Sequence, residues 1–500
     1  MEHTPQSFRD IFTASEHRSA ATVCRHLLVC VCLTLSLPLL AQEEDIDPYA
    51  SIDGITMQET SRAIQKKGVN WCAMPFISYN DQLGFYGRVA ASVFDFRQGS
   101  GISDYDQMLY AEAGYSSRHA GLFRAYYDTR KLLEGYKLDF DLTYQPDALY
   151  DFYGFNGYQA YYDYLLATPF YPASYYIHEN PSYISSTFYR MKRNYLRGAA
   201  DIQGLIAKVD SIGADIHWHA GLGLQHFTTG RVDYESYNDG LAPINQLKDT
   251  TNLFDLYRLW GLISPEETSG GLHPYLHAGA SISSQPSAGS IQRSRFYGDL
   301  FLTGTFAFGG LSSYNNLRLN FNWKHHVTLW PDVVTLAYMV GGQLTLAGKT
   351  PFYQNGIIHQ FLCQRDMFEG IGADNLPRGM LRNRLLGRGY DYASVELRIN
   401  VFHMRVGKKT VIFSLNPFVD QMMILQPQIK PAEVLADKPE VLDKYFRMDE
   451  SLYMPHVTVG CGAKATVGGA FVVSCDWAAP LREQDNENLA NLYFTVGYLF

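Results

Sequence analysis

The chain has 500 residues, a formal net charge of −9, and 14% aromatic but only 18% charged residues, with 36 Tyr and 29 Phe. An acidic balance of this kind excludes nucleic acid as the expected partner. A mean hydropathy of −0.17, with no run of roughly 18 apolar residues after the N-terminal region, excludes a helical membrane protein and leaves a chain that is apolar by alternation rather than by blocks.

At the N-terminus, Leu27 to Leu40 (LLVCVCLTLSLPLL) is an apolar run preceded by Arg25 and His26 and followed by Ala41, Gln42 and an acidic stretch. This reads as the core of a signal peptide over residues 1–41, with cleavage near Ala41. The run is shorter than the roughly 18 to 20 residues of a spanning helix, and Pro38 interrupts it, which disfavours an anchor. The leader ahead of it is long, which leaves room for a start codon downstream of Met1. Residues 42–70 are polar, with a helix-like stretch at Met57 to Lys67, and are expected to form a short periplasmic tail too small to fold as a domain.

From Trp71 onward, segments with period-two alternation recur between turn residues, among them Leu83 to Phe96, Gln107 to Tyr115, Tyr136 to Tyr144, Thr187 to Tyr195, Gly213 to Phe227 and Val333 to Leu346. With no helical span available, a membrane can be crossed only by a closed barrel. The expected fold is all-β: one transmembrane antiparallel barrel over residues 71–500. At roughly 10 residues per strand, about 430 residues give 16 strands, and 14 also fit. The aromatics then supply the two interfacial girdles.

Two connections stand out. Residues 145–186 hold a Tyr cluster that includes Tyr150, Tyr153, Tyr158 and Tyr183, expected to pack as a cap over the mouth, with sugar stacking as the alternative. Residues 228–272 carry an amphipathic stretch, Leu253 to Leu262, expected to be a short helix outside the barrel. His217 and His219 share an inward face, but no third ligand is identifiable, so no metal site is expected. His325 and His326 face opposite sides. Past the signal, Cys72, Cys363, Cys461 and Cys475 match no metal motif, and no disulfide framework is expected at that density; Cys461 and Cys475 read as small apolar wall residues, with a place on neighbouring strands as the alternative. No Gly-x-Ser-x-Gly is present, which lowers the odds of an outer-membrane hydrolase. Neither an enzymatic activity nor a cofactor is expected.

Towards the C-terminus, Leu376 to Gly389 (LPRGMLRNRLLGRG) is too basic to sit in lipid. In the strand that follows, Val395, Leu397, Ile399 and Val401 form the outward set, which turns Glu396, Arg398 and Asn400 into the lumen. In the next, Phe413, Leu415 and Val419 point outward and Ser414, Asn416, Phe418 and Asp420 inward. Charges here must be lumenal, because a charge on the lipid face near the midplane costs roughly 2–4 kcal/mol. A basic loop folded back into the barrel can satisfy Glu396 and Asp420 with a guanidinium fork; a solvated outer loop beside unrelated wall charges is the alternative. The chain closes on Leu489 to Phe500 (LANLYFTVGYLF), where Leu492, Phe494, Val496, Tyr498 and Phe500 share one face. Phe494, Val496, Tyr498 and the terminal Phe500 read as a closing barrel strand and an assembly signal.

The order Arg378-Gly379-Met380, then Glu396-Leu397-Arg398, then Phe418-Val419-Asp420 resembles that of the BamA/TamA-type bacterial surface antigen superfamily of outer-membrane barrels. Phe152 to Gly157 (FYGFNG), Leu262 to Gly271 (LISPEETSGG), Gly348 to Tyr353 (GKTPFY) and the final Phe500 extend the likeness to members of Bacteroidota that lack polypeptide-transport-associated (POTRA) domains. The resemblance implies a loop whose Arg-Gly tip enters the barrel, with Arg378, Gly379, Met380, Glu396, Arg398 and Asp420 as a lumenal latch that is structural and gating rather than catalytic. Three departures stand out. Met380 occupies a position where an aromatic is usual, Met422 one where Gly often follows Phe-x-Asp, and the Asp-x-Arg-Asp run expected after Leu276 to Ala280 is absent. A second tip, Arg388-Gly389-Tyr390, has the aromatic but lies only eight residues from Glu396, too near for a loop that enters and returns, so Arg378 is preferred. Residues 42–70 cannot hold a POTRA domain, so the client-receiving role of assembly and secretion members does not carry over directly.

The function expected is the insertion, translocation or display of protein or lipid at the outer membrane. A passive channel or small-molecule transporter is the alternative, with an outer-membrane lipid hydrolase behind it. A TonB-dependent receptor is disfavoured, since the mature length cannot supply both a plug and the 22 strands of such transporters. The expected partners are outer-membrane lipid and lipopolysaccharide, and the barrel-assembly machinery for its own insertion.

Overall fold

The computed structural model describes residues 68–80, 83–96, 105–155, 187–242, 246, 249, 251–284, 295–307, 312–358, 371–372, 376–406, 409–446, 455–467, 471–482, 485–486 and 491–496. The expected signal peptide, the periplasmic tail up to residue 67, most of the Tyr cluster, and Tyr498 and Phe500 of the closing strand lie outside the described residues, while Val69 and Asn70, expected in the tail, already belong to the first strand.

Sixteen antiparallel strands form one closed barrel, each paired with its chain neighbours and the last with the first. They are β1 (Val69–Asn80), β2 (Gly84–Asp95), β3 (Gln107–Ser116), β4 (Gly121–Thr129), β5 (Tyr136–Asp151), β6 (Arg190–Val209), β7 (Ala214–Gly230) and β8 (Gly271–Ser284). The second half comprises β9 (Arg295–Thr305), β10 (Asn316–Trp330), β11 (Val334–Gly348), β12 (Gly389–Val406), β13 (Lys409–Gln426), β14 (His456–Val467), β15 (Phe471–Pro480) and β16 (Asn491–Val496). The count is sixteen rather than fourteen. Among the described residues the closing seam carries a single registered pair, Tyr79 with Phe494.

Alternation sorts the two faces. On β13, Leu415, Val419 and Leu425 are exposed, whereas Ser414, Asn416, Phe418, Asp420 and Met422 are buried. Leu109, Leu142, Leu222, Leu276, Leu300, Val340, Val395 and Leu415, each on a different strand, lie uncovered on the outer surface. An apolar band that runs around the outside of a closed sheet has lipid as its solvent, and places this protein in the bacterial outer membrane. Aromatic pairs cross strands on the same face, such as Phe296 with Trp323 at 5.5 Å and Phe402 with Phe413 at 4.6 Å between ring centroids.

An even strand count brings the start of β1 and the end of β16 to one end. That end carries short turns such as 130–135, 210–213 and 331–333, and the other the long connections 152–189, 231–270, 349–388 and 427–455. In outer-membrane barrels the long loops face outward. In the second of them, Leu253–Leu259 forms a helix capped by Asn252, whose side chain accepts from the Asp255 amide at 2.9 Å. Its apolar face, Leu253, Phe254 and Tyr257, is buried.

Candidate functional site

The connection from β11 to β12 returns into the lumen. Its Arg378 is buried, and the guanidinium donates from Nε and Nη2 to the two oxygens of Asp420, at 2.8 and 3.0 Å, and from Nη1 to Glu396 Oε2 at 3.2 Å. The Arg378 backbone amide donates to Asp420 as well, at 3.0 Å. The guanidinium carbon lies 3.3 Å from the centroid of the Phe418 ring, a cation–π contact shielded from water. Strand register explains the fork. Asp420 faces Ser394 and Glu396 faces Phe418, so the two carboxylates sit diagonally across the β12–β13 pair rather than opposite each other.

Each carboxylate has further partners. Asp420 accepts from Ser394 Oγ at 2.7 Å; Glu396 accepts from Asn416 Nδ2 at 2.8 Å and Arg398 Nε at 3.0 Å. Asp476 on β15 lies 3.8 Å from Arg378, and Lys464 on β14 lies 3.5 Å from Asp476. Three cations, Arg378, Arg398 and Lys464, thus meet three carboxylates, Glu396, Asp420 and Asp476. A cluster balanced in this way is tolerated in a water-poor lumen, where an unmatched charge is not.

Gly379 makes the tip possible. Its φ is +90°, and a Cβ there would lie 2.9 Å from the Ala478 methyl. Its carbonyl accepts from both Asn486 and Asn491, each at 3.1 Å, so the tip is tied to the start of β16 as well as to β12, β13 and β15. Met380 is fully buried in an apolar cluster with Leu376, Leu385, Met339, Tyr392 and Met422. The alternative tip is placed elsewhere: Gly389 and Tyr390 begin β12, and Arg388 donates to the Pro427 carbonyl at 3.1 Å. Of the closing-strand residues, Phe494 pairs with Cys475 and Val496 with Val473, both on β15.

Above the latch, the mouth is filled by one apolar cluster that unites three sequence motifs far apart in the chain. Phe152, Tyr153 and Phe155 pack with Leu262 and Ile263, and with Phe352 and Tyr353. Phe155 and Phe352 are 5.4 Å apart, and Phe152 and Tyr257 meet edge to face at 5.4 Å. The hydroxyl of Tyr353 bonds His273 Nε2 at 2.9 Å. In the outer loop 231–270, burial pushes the Glu267 carboxyl above its ordinary range, with the Tyr314 hydroxyl pulling the other way.

Other candidates do not converge on the latch. His219 is buried between the rings of His277 and Phe301, while His217 is only half-buried. Among the described residues, no group of three or more His, Cys, Asp or Glu side chains could hold a metal ion. His325 bonds the Tyr338 hydroxyl at 2.9 Å within an aromatic group that includes Phe296 and Trp323. Cys461 and Cys475 sit on paired strands but face Trp477 and Ala463 respectively, and both are free thiols.

Sequence reasoning missed Lys464, Asp476, Asn486 and Asn491. A signal for the first two was present, because period-two alternation over residues 456–466 and 470–477 turns both to the inward side.

No protein-family model and no curated protein sequence matches the chain. Among solved structures, CdiB from Escherichia coli is similar over 87% of this chain and 63% of its own, with 10% sequence identity and a TM-score of 0.49. CdiB from Acinetobacter baumannii is similar over 86% and 60%, with 10% identity and a TM-score of 0.46. The chain therefore spans less than two thirds of either of these proteins. A bacterial polysaccharide outer membrane secretin is similar over 87% of this chain and 97% of its own, with 9% identity and a TM-score of 0.35.

Proposed function

We propose that this protein belongs to the BamA/TamA-type surface antigen superfamily and acts in the insertion, translocation or display of protein or lipid at the outer membrane. The observation that carries the reading is the Arg378 fork on Asp420 and Glu396, made by an Arg-Gly tip on a loop that has returned into the lumen. Six buried charges tie the loop to the wall formed by β12, β13, β14 and β15, which suits a barrel that admits a client only at a particular step better than a permanently open route for small solutes. Two departures from the superfamily pattern also meet. Met380 and Met422 lie in the same buried cluster, so a longer side chain in place of Gly and a slimmer one in place of an aromatic fill one shared space. The protein performs no catalysis in this reading, and its partners are lipid, lipopolysaccharide and the assembly machinery that inserts it.

The test is quantitative proteomics of the outer membrane after depletion of the protein, with an Arg378→Ala strain alongside. The expected outcome is loss of a defined set of barrels or surface lipoproteins in both strains. An unchanged outer membrane in the depleted strain would overturn the reading in favour of a channel or a purely structural barrel.

A further inference from the structure

The lumenal loop is held at a second place, on the wall opposite the latch. Arg382, four residues beyond Arg378, donates from Nη2 to Asp147 at 2.8 Å and from Nε to Asp151 at 2.5 Å. Both aspartates lie on β5, which stands half-way round the sixteen-strand ring from β13. Four extended residues reach at most about 14 Å. Two long arginine side chains extend that reach, one towards each wall.

The second attachment is built as carefully as the first. Arg190 of β6 pairs with Asp151, so Asp147 and Asp151 hold the guanidiniums of Arg382 and Arg190 independently of the Arg378 network, and the buried Arg193 lies on the same Tyr150 ring as Arg382. The Arg382 guanidinium lies 5.5 Å from the Tyr150 ring centroid, and that of Arg384 5.8 Å from the Tyr153 centroid. Asn383 donates from its side chain to the Asp151 carbonyl at 3.4 Å. The Asn383 amide donates to the Ile371 carbonyl at 2.6 Å, and its side-chain oxygen accepts from the Ile371 amide at 3.3 Å, which splints the segment against the earlier limb of the same loop. Arg382, Asp147 and Asp151 are all largely buried.

We propose that residues 378–384 form a crossbar fixed at both walls, and that Arg382 with Asp147 and Asp151 is a second latch that holds the lumen shut when the Arg378 latch is released. The crossbar rests on the loop being the barrier assigned to it above, but not on the identity of the client. Release of one end leaves the other in place, so opening of the lumen requires that both let go. A signal or client acting at only one wall does not clear the path.

The experiment is single-channel recording from the full mature chain in planar bilayers, comparing wild type, Arg378→Ala, Arg382→Ala and the double variant, each checked for folding by heat-modifiable migration. Both single variants are expected to stay mostly closed, and the double variant to show an open probability at least about tenfold above either single, the non-additive signature of two supports sharing one function. A double variant no more open than Arg378→Ala, or an Arg382→Ala protein as open as the double, would overturn the second latch while leaving the loop as a barrier. A steadily open wild type would overturn the crossbar and the closed-barrel reading together. If the double alanine variant does not fold, Arg378→Lys with Arg382→Lys keeps both charges, removes both forks and is read by the same criteria.

Discussion

Replacing Arg378 with Ala is expected to lower the unfolding free energy of the barrel by about 3–5 kcal/mol, the range for removing one member of a buried charge pair. The structure indicates why the loss belongs at the upper end of single substitutions. Arg378 bridges Asp420, Glu396 and Asp476, and its removal leaves these three carboxylates with Arg398 and Lys464 as the cations among the described residues of the cluster. Asp420 would keep Ser394, and Glu396 would keep Asn416 and Arg398, so the barrel should weaken rather than collapse. Arg378→Lys should fall between, since an ammonium supplies the charge but not the fork. Adding Asp420→Asn to Arg378→Ala should cost less than the sum of the two, because the carboxylate left stranded by the first change is neutralised by the second. Urea unfolding of the protein in lipid or detergent checks all four variants. Wild-type stability of Arg378→Ala would show that the latch is energetically idle.

Gly379→Ala is expected to be nearly as damaging, although it alters no charge. At φ +90° an L-residue is strained by roughly 1–2 kcal/mol, and the added methyl would press on Ala478 at 2.9 Å, for a combined loss of about 2–5 kcal/mol. Relief of the contact requires the tip to withdraw, which pulls the Gly379 carbonyl from Asn486 and Asn491 and the Arg378 amide from Asp420. The variant should therefore lose stability and loosen the start of β16 together. Amide exchange at β15 and β16 reports the second effect. Unaltered stability and exchange in Gly379→Ala would place the tip elsewhere than described.

The legibility of the site in the sequence follows from what alternation encodes. On β12 and β13, strict period two with charges on one side is enough to turn Glu396, Arg398 and Asp420 inward, since the lipid face tolerates none of them. Alternation sets the face of a residue but not its height, and height depends on register. Lys464 and Asp476 were therefore visible as inward residues without being assignable to the same cluster. Arg382 is a harder case, because its partners on β5 lie more than two hundred residues away and nothing local connects them.

Strand extents show the same limit. Alternation marks β6 only as far as Tyr195, whereas the strand runs to Val209, because Gly198, Ala199 and Ala200 erase the large-apolar alternation without ending the strand. On β8 the run Ala278, Gly279, Ala280 has the same effect, and on β9 Gly298 and Gly304 interrupt the apolar series. Pro75 masks β1, which nevertheless pairs with β2 along its whole length. The amphipathic segment at Leu253 is readable as a helix because its spacing is local, although the helix ends at Leu259 rather than Leu262.

A barrel held shut by its own loop should conduct little at rest. The most direct measurement is the resting conductance of the purified wild-type mature protein in planar lipid bilayers. The expected result is a mostly closed lumen with rare, brief openings, since an apolar cluster fills the mouth and Arg378 ties the loop to the wall. A steady, ohmic conductance of porin size in the unmodified protein would contradict it.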